Sequence, residues 1–242
     1  MEQIYTIPVN EAFEHSAEHK ECGCPLCAIH RQFEENELEL ILGASMMEPD
    51  IRIMTNKEGF CRLHYDMMFV RQNRLGMALT LESHLNELRE QIEDSAISSL
   101  IGGVGSAAEK RLTELESSCY VCRRTAYHFD HIMETVVLLW STDPGFLPKF
   151  KAQPYFCLPH YKLLLSYGKK KLGKKAYPTF AKDCAAVVLP YFDKLREDVS
   201  WFCKKFDYRY VDEPWYDSQD SVERAMAFLR GDLHNAGKPK KK

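Results

Sequence analysis

The sequence predicts a mainly α-helical protein built as two tandem, metal-pinned modules related by internal duplication. Three observations carry that expectation. Two Cys-x-x-Cys pairs each precede a run of helical periodicity, two Cys-x-x-His pairs each open another, and the two halves repeat in step. In the first half, Cys24-Pro25-Leu26-Cys27 is followed after 33 residues by Phe60-Cys61-Arg62-Leu63-His64-Tyr65. In the second, Cys119-Tyr120-Val121-Cys122 is followed after 34 residues by Phe156-Cys157-Leu158-Pro159-His160-Tyr161. At an offset of 95, Glu35 pairs with Asp130, Leu38 with Met133, Glu39 with Glu134, Leu42 with Val137 and Pro49 with Pro144. Beyond these anchors Leu75-Gly76 matches Leu172-Gly173. Matches held at a fixed offset over so long a stretch are best explained by duplication of one unit.

In chain order, the pattern places one module at 1–97, a second at 107–207, and a C-terminal helix with a basic tail at 208–242. Helices are expected from Ala28 to Leu42 and from Arg123 to Trp140, with others opening at Tyr65 and Tyr161. Ser95 to Ser106, with Gly102, Gly103 and Gly105, reads as a linker, since its glycines match neither phosphate-cradling pattern. Asp220 with Glu223 has the spacing of a capping box opening a last helix, and Gly231 is placed to end it. Lys238 to Lys242 reads as a frayed tail.

Composition narrows the class of protein. A chain of 242 residues with 45% hydrophobic and 12% aromatic residues can bury a substantial core. Its net charge of -3 provides no overall basic field, so charge gives no indication of nucleic-acid binding. No segment approaches the roughly 20 apolar residues of a membrane span, and the first ten residues lack a secretory pattern, so a cytoplasmic protein is expected. The nine cysteines are odd in number, and eight ligand positions form spaced pairs that include two histidines. Reduced, metal-bound thiolates fit that pattern better than disulfides.

Three thiolates and one imidazole form a common closed set for tetrahedral zinc, so two Zn2+ per chain are expected, an iron–sulfur cluster being the lesser alternative. The expected ligands are Cys24, Cys27, Cys61, His64, Cys119, Cys122, Cys157 and His160. Cys24 is preferred to Cys22 because only Cys24 has a repeat partner. Repeat register groups Cys24, Cys27, Cys61 and His64 in one quartet and Cys119, Cys122, Cys157 and His160 in the other. A helix of 15 residues rises about 23 Å, and the residues from Gly43 to Gly59 can span more than about 50 Å if extended, so closure within a module is easy. Pairing across modules, Cys24 and Cys27 with Cys157 and His160, satisfies the same chemistry. Ligands at helix starts meet free N–H groups and the positive end of the helix dipole, which favours thiolate over thiol. Cys184 and Cys203 have no repeat partners and read as buried, inert thiols.

Other residues are candidates for binding. Glu35 and Glu39 lie about 60° to 110° from the apolar stripe of Leu38, Ile41 and Leu42, and Asp130 and Glu134 occupy equivalent shoulders. Together they form a carboxylate set that can line a cleft between modules, although shoulder acids are more often ordinary ion-pair partners. Arg52 and Asn56 depart from the repeat, which suggests a specific task such as holding an anion, or else a salt bridge. His15 and His19 stand four apart on a solvated face, and Lys169 to Lys171 with Lys174 and Lys175 make a local basic patch. No nucleophile with its base is recognisable, so enzymatic activity is unsupported.

The Cys-Pro-Leu-Cys pair, Asn56 to Tyr65, and the later Cys-x-x-Cys and Phe-Cys-x-x-His-Tyr resemble an uncharacterised family of bacterial proteins classed as a domain of unknown function. The likeness runs from about Cys24 to the last helix. It implies a bacterial, cytoplasmic protein in which all eight ligands act together, and it carries no activity. The expected function is therefore a zinc-binding helical protein acting as a binding or regulatory module for a protein or small ligand. The alternatives are an enzyme with a carboxylate-lined site between modules, and a thiol or metal redox sensor.

Overall fold

The computed structural model describes residues 3–99 and 106–234. Among them are eleven α-helices and no strand. The helices are α1 (Thr6–Glu18), α2 (Pro25–Leu42), α3 (Pro49–Glu58), α4 (Arg62–Val70), α5 (Arg74–Ser99), α6 (Ser106–Ser117), α7 (Tyr120–Thr142), α8 (Phe146–Lys151), α9 (Leu158–Lys171), α10 (Tyr177–Lys204) and α11 (Ser221–Arg230). The four helices expected beside the ligand pairs are all present as α2, α4, α7 and α9. The linker expectation changes: Ser95 to Ser99 belong to α5, while Gly102, Gly103 and Gly105 lie outside the described residues, as does the Lys238 to Lys242 tail.

The chain divides into two compact units, one of residues 1–31 with 129–242 and one of residues 32–128. This division differs from the two tandem modules expected from the sequence, because the second unit is wholly inserted between two pieces of the first.

The first unit is built around aromatic side chains. Phe13 of α1, Phe146 and Phe150 of α8, Phe156 and Phe180 of α10 are fully buried. Phe13 and Phe146 lie 5.0 Å apart between ring centroids, Phe150 and Phe156 5.1 Å, and Phe150 and Phe180 5.9 Å, within the range for favourable aromatic pairs. Gly168 of α9 lets this core close, because a Cβ there would sit 2.5 Å from the Phe180 ring. The last helix forms as expected and ends at Gly231, whose φ of +84° suits glycine. The capping box does not form. Asp220 occupies the N-cap position, but its carboxylate accepts from Arg224 at 2.9 Å instead of from the helix N–H groups.

The second unit packs Leu38, Ile41, Leu42, Phe60, Met68, Cys119, Tyr120 and Val121 into one core. The segment from Gly43 to Gly59, treated in the sequence as a returning stretch, contains the ten-residue α3, opened by Pro49 and ended by Gly59. Arg52 and Asn56 tie α3 to α5: Arg52 donates to the Leu79 carbonyl at 3.1 Å and Asn56 to the Ser83 hydroxyl at 2.7 Å. Their departure from the repeat thus coincides with a local packing role.

Candidate metal centres

Each ligand pair sits where a helix begins. Cys61 and Cys157 are the N-caps of α4 and α9, and His64 and His160 stand three residues on, in the first turn. Cys24 and Cys119 immediately precede α2 and α7, with Cys27 and Cys122 in their first turns. The leading cysteine of every pair accepts the first helical hydrogen bond through its carbonyl: Ala28 to Cys24 at 3.3 Å, Tyr65 to Cys61 at 3.1 Å, Arg123 to Cys119 at 3.0 Å and Tyr161 to Cys157 at 2.8 Å. One turn therefore aims two ligands at one point.

Two quartets result, Cys24, Cys27, Cys157 and His160 in the first unit, and Cys61, His64, Cys119 and Cys122 in the second. All eight expected residues fall in these two groups, but the grouping by repeat register is overturned. Each Cys-x-x-Cys joins the Cys-x-x-His of the other half. In the second unit, Tyr120 N–H donates to Gly59 O at 3.0 Å, Ser118 Oγ to Glu58 O at 2.6 Å, and Arg123 pairs with Glu58 at 2.6 Å. These bonds dock the approach to Cys119 against the approach to Cys61. In the first unit, Gly23 passes so close to Tyr155 that a Cβ would lie 2.8 Å from its hydroxyl, and Ser16 Oγ donates to Gly23 O at 2.6 Å.

The spacing fits a tetrahedral ion. Metal–sulfur bonds of about 2.3 Å and metal–nitrogen bonds of about 2.05 Å put ligand atoms about 3.5–3.8 Å apart along the tetrahedron's edges. In the first unit His160 Nδ1 lies 3.5, 3.4 and 3.2 Å from the sulfurs of Cys24, Cys27 and Cys157, and Cys27 and Cys157 are 3.6 Å apart. In the second, His64 Nδ1 lies 3.1, 3.2 and 3.4 Å from Cys61, Cys119 and Cys122, and Cys61 and Cys122 are 3.8 Å apart. Sulfurs at such distances are not disulfide-bonded, and all nine cysteines are free.

The surroundings of the two quartets differ. His64 Nε2 meets Glu34 Oε1 at 3.0 Å, both side chains 2% exposed. A carboxylate on the far nitrogen holds the ring with Nδ1 toward the sulfurs and raises its basicity as a ligand. At the corresponding repeat position Phe129 packs on His160, ring centroids 5.2 Å apart. The first-unit quartet is buried throughout, whereas Cys61 is half-buried and Cys122 exposed. The segment after α11 crosses the first-unit quartet: Asp232 N–H donates to Cys27 Sγ at 3.4 Å, and Arg31 pairs with the Asp232 carboxylate at 3.2 Å.

Ionisation follows these surroundings. Burial pushes the Cys24 thiol up to about 12. Cys157 also rises to about 12, where hydrogen bonding with Cys24 is outweighed by Cys27 and burial. Burial, reinforced by His30, pushes His160 down to about 3. The first-unit quartet without a cation is thus held as neutral thiols and neutral imidazole, and a divalent ion would supply the charge that lets the thiols ionise. Around His64 burial is overcome by Cys119 and Glu34, which raise it to about 10. Cys119 is lowered by its Cys122 hydrogen bond, against burial and with help from His64, while Cys122 is raised by Cys119 and by burial.

The other candidates are placed as follows. Glu39 pairs with Arg71 at 3.6 Å in the second unit, which also holds Glu35. In the first unit Asp130 accepts from the Tyr167 hydroxyl at 2.5 Å and Glu134 pairs with Lys171 at 2.6 Å. Cys22 stays outside both quartets, exposed and 3.4 Å from His15 Nε2. Cys184 is buried as expected, but Cys203 is exposed, a correction to its reading as a core thiol. The sequence reading missed Glu34, although a signal existed. It lies four residues before Leu38 and seven before Ile41, so it is an acid on the apolar stripe of α2, and such a position demands a buried partner.

Fold and site together define a class: a chain helical throughout its described regular elements, with two Cys3His quartets spaced to take metal ions. The chain belongs to the family of unknown function DUF6062, whose sequence model matches residues 1–236. No curated protein and no solved structure matches it. No helix among the described residues is long and apolar enough to cross a membrane.

Proposed function

We propose that the chain is a bacterial, cytoplasmic zinc protein in which two structural ions hold a helical scaffold for binding or regulation. The observation that carries this is the completeness of each quartet. Three sulfurs and one nitrogen lie within 4.8 Å of one another at each site, so a tetrahedral ion has every position filled by protein. An ion so enclosed has no open position for water or substrate, which favours a structural role over Lewis-acid catalysis. The four pairs are far apart in sequence, so each ion also closes long loops that the core alone would have to hold. An open groove of about 510 Å3 is lined by Lys194, Arg196, Glu197, Asp198, Trp201, Lys204 and Tyr216, and none of the carboxylate candidates lines it.

Elemental analysis of protein purified without added metal tests the reading. Two zinc ions per chain are expected, with no iron and no visible colour. Structural zinc contributes on the order of 10 kcal/mol per ion, more than the usual net stability of a domain, so chelation should unfold the chain. One ion or none, or a chelated chain that keeps its helical signal and melting temperature, would overturn it.

A further inference from the structure

The two quartets are chemically alike but differently enclosed, and that difference assigns them different reactivity. In the first unit every ligand is buried, and Asp232 and Arg31 fasten the chain across Cys27. Gly231 brings the backbone so near that a Cβ there would lie 3.7 Å from both Cys157 Sγ and Cys27 Sγ. In the second unit Cys122 is exposed, Cys61 is half-buried, and their sulfurs are 3.8 Å apart on the open side. Attack on a metal-bound thiolate requires approach of the reagent to sulfur, so exposure decides which site reacts.

We propose that the second-unit quartet is a peroxide-reactive metal site, with Cys122 the thiolate that attacks the peroxide and Cys61 the resolving one. The inference rests on the metal-binding reading above. Cys122 sulfur attacks one oxygen of a hydroperoxide; an S–O bond forms, the O–O bond breaks, and the leaving oxygen departs as water or alcohol after taking a proton. Cys61 sulfur then attacks the Cys122 sulfur, an S–S bond forms, and the S–O bond breaks to release a second water on protonation. The two sulfurs lose two electrons in total and the peroxide gains them. Closing the sulfurs to about 2.05 Å removes two of the four ligands, and the ion is released. The first-unit quartet keeps its ion because no reagent reaches its sulfurs.

The test uses the full chain carrying both ions, with Cys22→Ser and Cys203→Ser removing the two other exposed thiols. Metal content is measured first, then hydrogen peroxide is added and released zinc is followed with a chromogenic chelator. The expected result is one equivalent released at least about tenfold faster than the second, a Cys61–Cys122 crosslink in the peptide map, and recovery on adding thiol and zinc. Two ions lost in step, first loss from the buried quartet, no loss before unfolding, or a crosslink that excludes Cys122 would each overturn the proposal while leaving the structural-metal reading intact. A chain purified without metal would overturn both.

Discussion

Replacing Glu34 tests the most specific feature of the second-unit quartet. Its carboxylate meets His64 Nε2 at 3.0 Å with both side chains 2% exposed, so the contact is shielded from solvent. Glu34→Gln keeps the shape and one acceptor oxygen but removes the charge, and Glu34→Ala removes both. Loss of such an outer carboxylate weakens metal binding 10- to 100-fold, or about 1.4–2.7 kcal/mol, with Gln near the lower figure and Ala near the upper. In cobalt-loaded protein titrated with a competing chelator, the thiolate-to-metal absorption should fall in two steps. Only one step should move in the variants. The first-unit quartet has Phe129 on its histidine and no matching carboxylate among the contacts described, so its step should stay in place. If both steps moved equally, or neither moved, Glu34 would have no role in tuning one ion.

Two further outcomes follow from the geometry. Gly23→Ala and Gly59→Ala place a Cβ at φ of +74° and +59°, 2.8 Å from Tyr155 Oη and 2.6 Å from Leu115 Cδ1 respectively. Each should cost about 1–3 kcal/mol, or about 2–4 °C in melting temperature per kcal/mol, and an unchanged melt would show that these turns carry no constraint. His84 titrates below its ordinary value, chiefly through burial, although its Nδ1–H donates to Asn56 O. The folded chain thus favours neutral His84, the unfolded chain takes the proton first, and the stabilisation present above about 6.5 is lost as pH falls. Melting temperatures in excess zinc should fall less steeply from pH 7.5 to 5.5 in His84→Gln than in the parent; equal slopes would place the acid sensitivity elsewhere.

Much of this architecture was legible in the linear sequence because it is local. Residues three apart share a helical turn, and the apolar spacing after each pair announces the helix that holds them, so the eight clustered Cys and His residues and α2, α4, α7 and α9 are legible directly. The preference for Cys24 over Cys22 came from register alone and agrees with the quartets. Gly231 likewise marked the end of α11, where a positive φ is needed. Asp220 was misread because the same carboxylate can cap its helix or pair with Arg224, and spacing does not rank the two.

The sequence by itself determined which atoms can grip metal and that helices present them in pairs. Only the tertiary structure decided which pairs meet. Any Cys-x-x-Cys is chemically interchangeable with the other at a tetrahedral ion, and the connecting chain is long enough for either grouping. The choice therefore falls to contacts between distant segments, such as Tyr120 N–H on Gly59 O and the tight passage of Gly23 beside Tyr155, whose energies no local pattern encodes. Tertiary structure likewise leaves Cys122 at the surface and covers Cys27 with Asp232, so two quartets of the same composition differ in what can reach them.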